Sequence, residues 1–148
     1  MTIHFKHLLV PIDFGEPSHC ALEAAIELAH RFDGRLTLVH VYEIPAYVYS
    51  GMTYATADLF APIEEAARES LDKALQGVQE KLPGTKAVLR RGPAAPEILS
   101  VIDELRPDLV VIGTHGRTGV KHAFLGSVAE KVVRMASVPV LTMHGKRD

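Results

Sequence analysis

A single cysteine, Cys20, occurs in the 148 residues, so no disulfide can form within the chain and a reducing compartment is expected. Neither sign of charge is in excess. The formal net charge is −2 and the pI is near 6.4, which gives no electrostatic basis for binding nucleic acid or an anionic membrane. No uninterrupted apolar run approaches the roughly 20 residues that span a bilayer. The opening MTIHFKHLLVPID breaks its apolar residues with His4, Lys6, His7 and Asp13, unlike a signal peptide. The eight histidines include no HExxH or other zinc spacing, and no Ser-His-Asp or Cys-His arrangement marks a nucleophile. No repeat, low-complexity tract or linker divides the chain. These absences leave one soluble, cytoplasmic domain over residues 1–148, with 47% hydrophobic residues to build its core.

The most informative stretch runs from Asp108 to Val128, DLVVIGTHGRTGVKHAFLGSV. Leu109-Val110-Val111-Ile112 reads as a fully buried strand. A polar loop follows, with glycines at 113, 116, 119 and 126 and no acid before Ser127. Ser127 and Glu130 have the spacing of a capping box, which predicts a helix beginning at Ser127 with the serine as its cap. A strand that passes through a glycine-rich loop into a helix N-terminus is a phosphate cradle. The free N–H groups and the helix dipole favour an anion, and glycines let the backbone approach it. Arg117 and Lys121 add positive charge, although in a solvated loop either can point to water.

The rest of the chain alternates strands with helices. Lys6 to Ile12 is a strand in which Pro11 must interrupt the pairing, and Asp13 emerges just beyond it. Pro17 to Phe32 is a helix with Ala21, Leu22, Ala25, Ile26, Ala29 and Phe32 inward, ended by Gly34. Leu36 to Tyr42 is the second strand. Residues 43–61 show no period and carry Tyr47, Tyr49, Tyr54 and Phe60, as either a surface loop or a lid. A helix over Pro62–Leu82, an edge strand over Thr85–Arg91 and a helix over Pro93–Leu105 follow. The helix after Gly126 is predicted to turn Val128, Val132 and Met135 inward, and Val138 to His144 is the last strand. This order implies right-handed crossovers and an open parallel sheet with helices on both faces. The first and fourth strands are almost wholly apolar and belong at its centre. If they are neighbours, Asp13 meets Gly113 where the winding reverses, the usual ligand position in such sheets.

Several residues have two readings. Asp13 either holds a metal-bound water near a phosphate or serves as the turn residue after its strand. Ser127 caps a helix whether or not a phosphate is present. His115 and His122 either touch a ligand or face solvent, and Cys20 reads as a buried, inert thiol. Val138, Val140, Leu141 and Met143 form an apolar strand that Pro139 confines to an edge, which predicts a homodimer through that strand.

LLVPIDF, GPAAPEIL and GTHGRTGVKHAFLGSVAEKVVRMASVPVL together resemble the universal stress protein family. Its nucleotide-binding branch has glycine, two residues, glycine, nine residues, glycine and then serine or threonine, a spacing that Gly113, Gly116, Gly126 and Ser127 reproduce. The resemblance implies a Rossmann-like five-stranded sheet in the order 3-2-1-4-5, a homodimer, and ATP, with or without Mg²⁺, at the reversal. It implies Pro11, Asp13 and Val41 on the adenosine side. Gly113 and Gly116 would then lie near the ribose and phosphates, and Gly126, Ser127 and Val128 at the phosphate tail. Members often have serine or threonine soon after the strand-one aspartate, where this chain has Phe14 and Gly15. The expected function is that of an ATP-binding stress or regulatory protein without rapid turnover. The alternatives are a slow nucleotide hydrolase or adenylyl-transfer enzyme, and a structural dimer with an empty site.

Overall fold

The two apolar strands lie side by side at the centre of the molecule. The computed structural model describes residues 2–45, 57–115 and 125–146. In it, β1 (His7–Pro11), β2 (Arg35–Tyr42), β3 (Lys86–Arg91), β4 (Leu109–Gly113) and β5 (Val140–Met143) form one parallel sheet in the order β3-β2-β1-β4-β5. A parallel sheet must be covered on both faces. Alternate residues Leu8, Val10, Leu38 and Val111 pack on α1 (Glu16–Phe32) and α2 (Ala57–Lys81), through Ala21, Ala25, Leu71 and Val78. Leu9, Val39, Val110 and Ile112 pack on α3 (Ala94–Leu105) and α4 (Ser127–Met135), through Ile98, Val101, Ile102 and Val132. The alanines of α1 recur every fourth residue, so that helix lies close against the sheet.

Pro11 opens the sheet where its sequence position requires. Pairing of β1 with β2 runs to Pro11↔Val39, and the Ile12 N–H then donates to the Val39 carbonyl at 2.8 Å. Successive residues of a strand face opposite neighbours, so position 11 faces β4. The next rung to β4 would need an N–H that proline lacks, and that pairing stops at Leu9↔Val110. The crevice between β1 and β4 begins there, at the reversal of winding.

Several local expectations change. α2 starts at Ala57 rather than Pro62, so Pro62 lies inside the helix. Its ring removes only one bond in an early turn, and the burial of Ala67, Leu71 and Val78 holds the later turns. Phe32 is exposed, its ring set edge-on to Phe5 at 5.2 Å. Asp33, not Gly34, takes the left-handed conformation that ends α1. Gly34 is needed for space, since a Cβ there would stand 2.4 Å from the Phe5 carbonyl oxygen. In α4 Ala129 and Val132 are buried and Val128 packs beside them, as does Ala136 just past the helix, whereas Met135 turns outward to 57% exposure. β5 is shorter than expected because it pairs with β4 only over Val140–Met143. The tyrosines at 47, 49 and 54 lie outside the described residues.

Candidate functional site

At the carboxyl ends of β1, β2 and β4 the crevice widens into a cavity of about 400 Å³. Its apolar wall comes from Val39 and Val41 of β2, Ile98 of α3 and Ile112 of β4. Its polar end comes from Asp13, Ser18, Thr114 and the first turn of α4. Each chain segment reaches this place for a local reason. Asp13 follows the strand that Pro11 cuts short, and its Oδ1 accepts the Gly15 N–H at 2.8 Å, closing a tight turn. Phe14 sits inside that turn at φ 67°. The Asp13 N–H donates to the hydroxyl of buried Ser18 at 3.1 Å, which ties the turn to α1. The turn-residue reading of Asp13 therefore holds, and the residue lines the cavity as well.

The end of β4 is fixed from three sides. Thr114, 1% exposed, donates its N–H to the Met143 carbonyl at 2.9 Å, and its own carbonyl accepts the Gly126 N–H at 2.5 Å. Its hydroxyl lies 3.3 Å from His144 Nδ1. A Cβ on Gly126 would stand 2.9 Å from the Thr114 carbonyl oxygen, so only glycine allows the two segments to meet.

Gly126 is also the N-cap of α4, and this corrects the expected capping box. Ser127 is the first helical residue and makes no side-chain cap. The Glu130 N–H donates to the Gly126 carbonyl at 2.9 Å, and the Glu130 carboxylate lies 3.5 Å from Arg134. The helix begins one residue earlier than a serine cap would set it. The N–H groups of residues 127–129 precede the first intrahelical bond and open towards the cavity as donors with a favourable dipole.

On the opposite wall Val41 presents backbone. The Val39 carbonyl faces β1, and the Tyr42 carbonyl faces the other way, accepting the Gly92 N–H at 3.0 Å. Val41 therefore turns its N–H and C=O towards the β1 side, where the register has already ended at Pro11↔Val39. One donor and one acceptor stand side by side above the apolar wall.

Pro11, Asp13, Val41, Gly113, Gly126, Ser127 and Val128 all line this cavity. Gly116, with Arg117, Gly119, Lys121 and His122, lies outside the described residues. Ser18, Ala94, Ile98, Ile112, Thr114 and Ala129 line the cavity without having been singled out from the sequence. Ile98 and Ile112 looked like plain core residues, and Ser18 carries no motif of its own. Among the described residues, no group of three or more His, Cys, Asp or Glu side chains is placed to hold a metal ion.

Residues 4–144 match the universal stress protein family. The chain belongs to that family. A universal stress protein of Thermus aquaticus is 35% identical over 141 residues, 95% of this chain and 99% of its own. YxiE, a universal stress protein of Bacillus subtilis, is 31% identical over 147 residues, 95% of this chain and 99% of its own. Among solved structures, the universal stress protein UspA from Lactobacillus plantarum superposes with a TM-score of 0.80 at 22% identity, covering 96% of this chain and 99% of that one. A family protein from Arabidopsis thaliana, solved with AMP bound, superposes with a TM-score of 0.67 at 20% identity, covering 97% and 94%. At those identities the structural matches establish the fold. Placing the universal stress protein sheet in the order β3-β2-β1-β4-β5 on this chain puts the cavity at the reversal.

Proposed function

We propose that this protein binds an adenine nucleotide, ATP, in the cavity and acts as a homodimeric regulatory protein without rapid turnover. One observation carries the reading: a single cavity joins an apolar slot with an open backbone edge at Val41 to a helix N-terminus at Ser127. A purine ring needs apolar walls, here Val39, Ile98 and Ile112. A donor and acceptor side by side, as at Val41, match the adenine edge that carries both an acceptor nitrogen and an amino group. A phosphate chain needs free N–H donors, and residues 127–129 at the start of α4 offer them. Asp13 lines the same cavity, where it would reach the ribose or a water on Mg²⁺, a cation that takes only one or two carboxylates when it accompanies a nucleotide. The AMP held by the Arabidopsis relative supports an adenine nucleotide as the ligand class.

The dimer in this reading forms through β5. Its outer backbone edge is unpaired among the described strands, and Leu141 is exposed beside it. Nucleotide occupancy then acts through association with partners. Mass spectrometry of small molecules released by denaturing the purified protein tests the reading. Recovered ATP supports it. ADP or AMP points instead to a slow hydrolase or transferase, and no nucleotide points to a structural dimer.

A further inference from the structure

Between the apolar slot and α1 lies His40, a buried polar residue of β2 whose side chain does not belong to the cavity lining. Its Nδ1 is 2.8 Å from the Ile12 carbonyl oxygen. A carbonyl only accepts, so Nδ1 carries the proton and donates. That acceptor has a particular place in the sheet. Ile12 donates its N–H to Val39 and so turns its carbonyl towards β2 as well. In an uninterrupted parallel ladder the next rung would run from the Val41 N–H to the Ile12 carbonyl. The rung is absent, since the register stops at Pro11↔Val39, and the imidazole occupies its acceptor.

We infer that His40 is a positioning residue that keeps the Val41 amide available to the ligand by taking the Ile12 carbonyl for itself. The inference rests on the adenine-nucleotide reading and deepens it. Two further contacts hold the arrangement. Phe14, at φ 67° in the turn after Asp13, sets its ring against the imidazole with centroids 4.6 Å apart. On its far side β2 stays paired with β3 as far as Tyr42↔Arg91, so the Val41 amide keeps a fixed direction while lacking a β1 partner. A donor oriented before the ligand arrives loses little freedom on binding. Without the imidazole, the two strands can close by one rung, and the base loses its donor.

The test uses amide hydrogen exchange by NMR on the ligand-free protein, with titrations of ATP and of inorganic tripolyphosphate. In the parent the Val41 amide should exchange far faster than that of Val39. In His40→Leu, which keeps bulk but removes the donor, Val41 should become protected. ATP should then bind about tenfold more weakly, the worth of one hydrogen bond, while tripolyphosphate is unchanged. His40→Asn, whose side-chain amide can still donate, should restore ATP binding. Equal loss of ATP and tripolyphosphate in His40→Leu would make His40 a merely structural residue and overturn the inference. So would ATP binding equal to the parent's, or a Val41 amide as protected as Val39 in the parent. The parent exchange measurement stands even if His40→Leu does not fold. A parent that binds no adenine nucleotide refutes the site reading instead, and Val41 exchange still reports on His40.

Discussion

Gly113 of β4 meets Pro17 of α1 so closely that a Cβ on the glycine would stand 2.6 Å from the Pro17 carbonyl carbon and 2.7 Å from the Ser18 nitrogen. The end of the central strand and the first turn of α1 are thus in backbone contact. Gly113 is not in a left-handed conformation, so space alone demands glycine. Gly113 lines the cavity and also makes room for α1. Gly113→Ala should cost about 1–3 kcal/mol through overpacking, because both neighbours are backbone atoms that cannot swing aside. Since α1 carries Ser18, which holds the Asp13 turn, ATP affinity should fall too. Thermal melting and ATP titration of the variant check both effects.

Ser127 separates stability from binding. As the first helical residue without a side-chain cap, its change to Ala should alter stability by no more than about 0.5 kcal/mol, well below the ~1 kcal/mol of a lost cap. Ser127→Asp places a carboxylate in the first turn, where the dipole favours it by about 0.3–1 kcal/mol. Against a phosphate chain that same carboxylate repels by roughly 4 kcal/mol at 4 Å and an effective dielectric near 20, about a thousandfold in affinity. Melting and ATP titration should show Ser127→Asp stable but unable to bind. Parent-like ATP binding by Ser127→Asp would mean that the phosphates lie elsewhere.

At the opposite end of the sheet, burial lowers the pKa of His7 from its ordinary 6.5, with Arg35 and Lys86 acting in the same direction and Asp108 opposing them. Its Nε2 is 2.9 Å from the Thr37 hydroxyl, and Arg35 approaches Nδ1 at 3.4 Å, a contact that suits a neutral ring. Below pH 6.5 the unfolded chain protonates this histidine while the folded one does not, so the unfolded state binds more protons and stability drops as the pH is lowered. The His7 contribution is flat above about pH 6.5 and declines below it until the folded ring protonates. Urea unfolding of the parent and His7→Gln at pH 7.5, 6.5 and 5.5 checks this. The parent should lose more stability than the variant over the lower interval.

The β5 edge gives a separate test of association. Val140 packs into the core with Ile98 and Val132, so a charge there would damage the fold, whereas Leu141 is exposed. Leu141→Lys should leave melting within about 0.5 kcal/mol of the parent and convert a dimer to a monomer in sedimentation at micromolar concentration. A variant that sediments like a dimeric parent would place the interface elsewhere.

The sheet was legible because its signals are strong and local. Leu8 to Val10 and Leu109 to Ile112 have no polar interruption, a pattern that suits a central parallel strand buried on both faces. Pro11 marked the opening of the crevice because a missing N–H acts the same way in any sheet. Glycine spacing marked the candidates Gly113, Gly126 and Ser127, the family resemblance added Pro11, Val41 and Val128, and all of them line one cavity with Asp13. What sequence could not supply was the frame of contacts between distant segments. The Ser127–Glu130 spacing fits a capping box, yet the Gly126–Thr114 bond set the helix start one residue earlier. Pro62 suggested a helix start because its cost is local, whereas the burial that outweighs it comes from later turns. His40 looked like any polar residue in a strand, since its role depends on a carbonyl 28 positions away.

On the proposed reading one cavity takes both halves of an adenine nucleotide, the base at Val41 and the phosphates at α4. Isothermal titration of the purified, nucleotide-stripped protein with ATP, GTP and inorganic tripolyphosphate tests it most directly. ATP should bind at least about tenfold more tightly than GTP, whose carbonyl and protonated ring nitrogen reverse the donor and acceptor that Val41 presents. Tripolyphosphate should bind measurably but more weakly than ATP. Equal, weak heats from all three ligands would contradict the claim.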